Sequence, residues 1–165
     1  MSSSLRNRQH TVNTGPAEPE PRTAAGDAFS LFAILVLRVG GYLSAAGDEL
    51  ARPVGQTSAR WQVLATIDAE PAPVAQIART LGLARQSVQR IADALAQEEL
   101  AAYEENPAHR RAKLLRLTPD GRTALRAIQA AQRPWADALG AKIGESDLRR
   151  ASKVLEQVLL ELSGS

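Results

Sequence analysis

Apolar positions along residues 74–93 repeat at helical spacing, stop, and resume. Ile77, Ala78 and Leu81 share one face, Gly82 breaks the run, and Leu83, Val88 and Ile91 take the period up again. The pattern predicts two helices, over about 74–81 and 84–98, joined by a tight corner. Ala78 is small where the helices approach, and a glycine at 82 can take the positive φ that such a corner requires. Away from the apolar face, the second helix carries Arg85, Gln86, Ser87, Gln89 and Arg90.

The same periodicity organises the rest of the chain. Residues 1–26 are rich in Ser, Pro, Glu, Arg and Gly and are expected to be a disordered tail. A first helix is expected from Asp27, as N-cap, to about Glu49, loosened at Gly40-Gly41 and apolar around most of its circumference. A second runs from about Ala59 to Asp68 behind Thr57 or Ser58, with Trp61 and Leu64 inward. Pro71 and Pro73 bracket a non-helical connection. After Glu99 the period shortens: 100–105 and 112–117 read as strands around the turn Asn106-Pro107-Ala108-His109. Thr118 then caps a helix over about 119–139, with Pro119 in its first turn and Pro134 expected to bend or divide it. Ser146 or Glu145 opens a last helix whose stripe is Leu148, Val154, Leu155, Val158, Leu159 and Leu162.

The expected fold is therefore mainly α with a small β-hairpin: a winged helix-turn-helix between N- and C-terminal dimerisation helices. Its segments are the tail at 1–26, a helix and linker at 27–56, the winged domain at 57–118 and the C-terminal helices at 119–163. A helix apolar all round needs cover on several sides, and a second copy would supply it.

Composition narrows the function. Of 165 residues 44% are hydrophobic but only 4% aromatic, so Leu, Ala, Val and Ile build a helical core. Without cysteine there is no disulfide, thiolate metal site or thiol sensor. The two histidines, His10 and His109, lie in the tail and at a loop tip, so no acid–base pair, metal cluster or cofactor site is expected, and no enzyme. The apolar run from Ala28 ends at Arg38 after about ten residues, half a bilayer crossing, which predicts no membrane partner, and the lack of cysteine suits a reducing cytoplasm. The net charge of +2 says little; its distribution says more.

Arg85, Gln86 and Gln89 are residue types that read base edges in the major groove, arginine at guanine and glutamine at adenine. Ser87, Arg90 and Lys113 suit phosphates. At the hairpin tip, His109, Arg110 and Arg111 can reach a minor groove. A solvated helix face and a solvated turn are the bland readings of each set taken alone; their succession favours a reader of double-stranded DNA. A winged-helix protein-interaction module without sequence-specific DNA binding is the alternative, and it would call for an apolar or acidic outer face on the second helix.

Several motifs together resemble the MarR family of regulators: Trp61-Gln62-Val63-Leu64, Ile77-Ala78, Val88-Gln89-Arg90-Ile91, Asn106-Pro107 followed by Arg110-Arg111-Ala112-Lys113, and Leu117-Thr118-Pro119-Asp120-Gly121-Arg122. The resemblance covers about residues 28–162. It implies an obligate homodimer on a pseudo-palindromic operator, most often a repressor released by a small aromatic or hydrophobic ligand. Phe32, Val36, Trp61 and Leu64 are the residues such a ligand would meet, though each is equally a core residue. One position departs from the family: His109 stands where an aspartate commonly precedes the wing arginine. If His109 lies near DNA, operator affinity should rise as it takes up a proton.

Overall fold

The computed structural model describes residues 22–109 and 111–164. Its elements are α1 (Ala24–Ala51), a 3₁₀ turn (Arg52–Val54), α2 (Ser58–Ala69), β1 (Ala72–Pro73), α3 (Val74–Leu81), α4 (Arg85–Gln97), β2 (Ala101–Glu104), β3 (Leu114–Leu117), α5 (Pro119–Ile143) and α6 (Glu145–Ser163). The chain divides into two units, one up to Val39 and one from Gly40.

In the first unit, α1 starts earlier than expected because Thr23, not Asp27, is the cap: its Oγ1 accepts from the Gly26 amide at 3.1 Å. Residues 24–26 thus leave the expected tail, and residues 1–21 lie outside the described part. Phe29 and Phe32 stack, with ring centroids 6.3 Å apart. The helix runs unbroken through Gly40-Gly41; glycine costs helix stability but keeps its N–H, so two of them do not end a helix. The apolar character also outlasts Arg38, through Val39, Tyr42 and Leu43. Ala24–Val54 is therefore apolar and long enough to cross a bilayer, the one such stretch among the described residues. The expected limit of about half a crossing is corrected on that point.

The second unit is built on a core of Val63, Leu64, Ile67, Ile77, Val88, Leu95, Leu115 and Leu125, all buried. Their spacing is why α2, α3 and α4 meet: each contributes one apolar face. Thr57 caps α2 by accepting from Arg60 N, and Asp48 Oδ1 adds a bond from Ser58 N at 2.7 Å. Gly82, at φ 63°, turns the chain between α3 and α4 as its position predicts; Leu83 N donates back to Ala78 O at 2.9 Å.

Beyond the expected hairpin there is a third strand. Ala72 and Pro73 pair with Leu115 and Leu114, giving an antiparallel sheet in the order β1-β3-β2. Two residues are too few to show alternation. Thr118 then closes the sheet onto α5: its hydroxyl donates to Glu99 O at 2.7 Å and accepts from Gly121 N at 3.0 Å. Pro134 does not divide α5, which continues past the expected end at 139 to Ile143 as one helix; lacking an N–H, the proline gives up the bond to the Ala130 carbonyl.

Candidate nucleic-acid interface

The outer face of α4 and the wing meet at a shallow hollow of about 400 Å³. Arg85, Gln89 and Asp93 of α4, Tyr103 of β2, and Arg111 and Lys113 between the wing strands are among its lining residues. Amphipathic α4 sets this up: burying Val88, Ala92 and Leu95 turns Arg85, Gln86 and Arg90 out to solvent. Gln89 and Ser87 sit half-buried at the edges of that face. Ala84 gives α4 no side-chain cap, so the partial positive charge of the helix start, beside Arg85, is left for an anion.

On the wing, β2 and β3 pair with Tyr103 opposite Leu115 and Ala102 opposite Arg116. The tip turns at Asn106, whose side chain accepts from Ala108 N at 3.0 Å. His109 is exposed there; its amide donates to Asn106 O and its carbonyl accepts from Ala112 N. Arg111 and Lys113 are exposed as well, while Arg110 lies outside the described residues. Of the expected DNA-contacting residues, the hollow thus unites Arg85, Gln89, Arg111 and Lys113. Gln86, Ser87, Arg90 and His109 lie outside its lining.

Two residues escaped the sequence reading. Gln89 Nε2 donates to Asp93 Oδ1 at 2.9 Å and to the Tyr103 hydroxyl at 2.8 Å, and Tyr103 donates to Asp93 Oδ1 at 2.7 Å. The pKa of Tyr103 is pushed up to about 12 by burial first, then by the hydrogen bond and charge of Asp93, with the Gln89 bond pulling the other way. Tyr103 is therefore a donor throughout the physiological range. The i, i+4 spacing of Gln89 and Asp93 was a visible signal, but the strand residue that closes the triangle was not.

A second cavity, of about 670 Å³, lies elsewhere in this unit. Trp61, Trp135, Gln62, Gln129, Gln132 and Ser58 are among its walls, and no charged residue is. Of the four residues expected at a ligand pocket, Trp61 lines it and Leu64 does not, being fully buried in the core. Phe32 and Val36 belong to the first unit. Among the described residues no cluster of metal-ligating side chains occurs.

A helix-turn-helix whose second helix runs directly into an antiparallel wing defines a winged helix-turn-helix protein. Residues 55–112 match the model of the MarR family. The family comprises transcription regulators rather than enzymes. Uncharacterized proteins of Mycobacterium tuberculosis and Mycobacterium bovis are 43% identical over 93 residues, 56% of this chain and 65% of theirs. The match thus spans less than two-thirds of those relatives' length. Among solved structures, CouR from Rhodococcus jostii RHA1 bound to p-coumaroyl-CoA superposes with a TM-score of 0.70 at 22% identity, covering 78% of this chain and 91% of that one. The repressor CouR on a 23-mer DNA duplex gives 0.70 at 25% identity over 84% and 99%. Apo MarR from E. coli gives 0.65 at 19% over 77% and 96%.

Proposed function

We propose that this chain is a sequence-specific, homodimeric DNA-binding regulator, acting as a repressor in the cytoplasm. The observation that carries the reading is the hollow that Arg85 and Gln89 of α4 line together with Arg111 and Lys113 of the wing. Cations on two elements around one concavity suit a duplex, with bases read from α4 and the adjacent phosphates and minor groove met by the wing. Arg85, Gln86 and Gln89 read bases; Ser87, Arg90 and Lys113 hold phosphates; His109, Arg110 and Arg111 form the wing contact. The DNA-bound neighbour supports the same use of the fold.

Dimerisation is supported by apolar surface that the single chain leaves open. In α6, Leu159, Leu160 and Leu162 are 66%, 72% and 66% exposed, and in α1 so are Phe29, Leu31 and Ile34 in large part. Arg149, Arg150, Lys153 and Glu156 exclude α6 from a bilayer, so its stripe needs a protein partner. A two-fold copy covers it, and the apolar face of α1 likewise meets protein rather than a membrane. Recognition helices then fall about 34 Å apart, one DNA turn.

The uncharged cavity with two tryptophans is the site for a releasing ligand, which is small, aromatic or hydrophobic, and neutral. Sedimentation at micromolar concentration without detergent tests the dimer, and titration of operator DNA over a salt series tests the interface. A monomer, or binding that ignores salt, overturns the respective half of the proposal.

A further inference from the structure

The triangle of Gln89, Asp93 and Tyr103 accounts for every proton in it. An ionised carboxylate only accepts, so the Tyr103 proton goes to Asp93 Oδ1, and the hydroxyl oxygen is left to accept from Gln89. The other amide hydrogen of Gln89 goes to Asp93. Turning the amide over would set Oε1 against the carboxylate and the hydroxyl lone pairs, so the charge of Asp93 fixes its orientation. Both N–H bonds of Gln89 are then in use, and its Oε1 is the one polar atom left for DNA.

Bidentate recognition of adenine by glutamine requires the amide to accept from N6 and donate to N7. A Gln89 held in this way can only accept. We propose that Asp93 and Tyr103 are positioning residues that make Gln89 a pure acceptor in the major groove. It then selects a base that offers an exocyclic amine, adenine N6 or cytosine N4, and rejects guanine and thymine, which present acceptors there. The operator carries one position per half-site that admits A or C alike on one strand. This inference rests on the DNA-binding reading above, and it adds the base class that α4 selects.

Selection from randomised duplexes, with the wild-type chain and with Tyr103→Phe, tests it. Wild type should show a position at which A and C are preferred about equally, each over G and T by roughly tenfold. Tyr103→Phe frees one amide hydrogen, so bidentate adenine contact becomes available, and A should overtake C there by about fivefold with other positions unchanged. Gln89→Ala should level all four bases at that position alone. If wild type enriches an operator but no A/C position appears, or Tyr103→Phe leaves the A-to-C ratio as it was, the proposal is overturned while DNA binding stands. If wild type enriches no sequence, the DNA-binding reading itself fails.

Discussion

Gly121 lies so close to the carbonyl oxygen of Leu100 that a Cβ at position 121 would overlap that oxygen and crowd the Leu117 side chain. The contact joins the first turn of α5 to the entry of β2, and Thr118 locks it by bonding to both Glu99 and Gly121. Backbone cannot yield as a flexible side chain does. Gly121→Ala should therefore lower unfolding free energy by about 2 kcal/mol, read by urea denaturation. A midpoint unchanged from wild type would mean that the α5 entry is looser than described.

The ion pair of Arg122 with Asp68 ties α5 to α2 across 54 positions of sequence, yet both side chains are partly exposed at 44% and 34%. Screening keeps such a pair weak, so Asp68→Asn should cost less than about 1 kcal/mol. Leu64→Ala, in the fully buried core, should cost about 2–5 kcal/mol. Thermal melts of the two variants in one buffer make the comparison, and the reverse ranking would contradict it.

Tyr103 gives the fold an alkaline limit. Its folded pKa of about 12 stands above the ordinary value of 10.0. The protonated form is therefore the one favoured by folding: its contribution is fully present below pH 10 and is lost as pH climbs towards about 12. In Tyr42→Phe, which leaves Tyr103 as the sole tyrosine, tyrosinate absorbance should stay flat through pH 10 while circular dichroism still reports the native fold. Asp93→Asn in that background should bring ionisation to lower pH. Ionisation near pH 10 in the folded Tyr42→Phe chain would refute the hydrogen-bonded triangle.

Much of the fold was legible because its signals are local. Gly82 between two helical periods predicts the corner, and Thr118-Pro119 predicts the start of α5. What was missed depends on partners far along the chain or on very short segments. Ala72-Pro73 is a strand only because Leu114 and Leu115 pair with it. Asp93 gains its role from Tyr103 on another element, and Trp135 reaches the large cavity from α5, whose side chains are placed by packing and not by spacing. Leu64 was a natural guess for a ligand wall and sits in the buried core instead, since apolar pattern alone does not separate a cavity lining from a core.

Arg85 and Arg90 are both exposed on α4, but they are assigned different work. Arg85→Ala should cost about 1–3 kcal/mol on the preferred operator and relax discrimination at one base pair. Arg90→Ala should weaken specific and random duplexes alike and make the salt dependence shallower. Competition binding with both duplexes separates the two; identical behaviour of the variants would undo the division.

The central claim is that α4 and the wing together read DNA. Capture of fragments from the source genome by the purified chain, followed by sequencing, tests it most directly. The account predicts enrichment of a pseudo-palindrome with half-site centres about 10 base pairs apart, abolished in an Arg85→Ala, Arg111→Ala double variant that still folds. Fragments without a shared motif, or the same motif captured by the double variant, would contradict it.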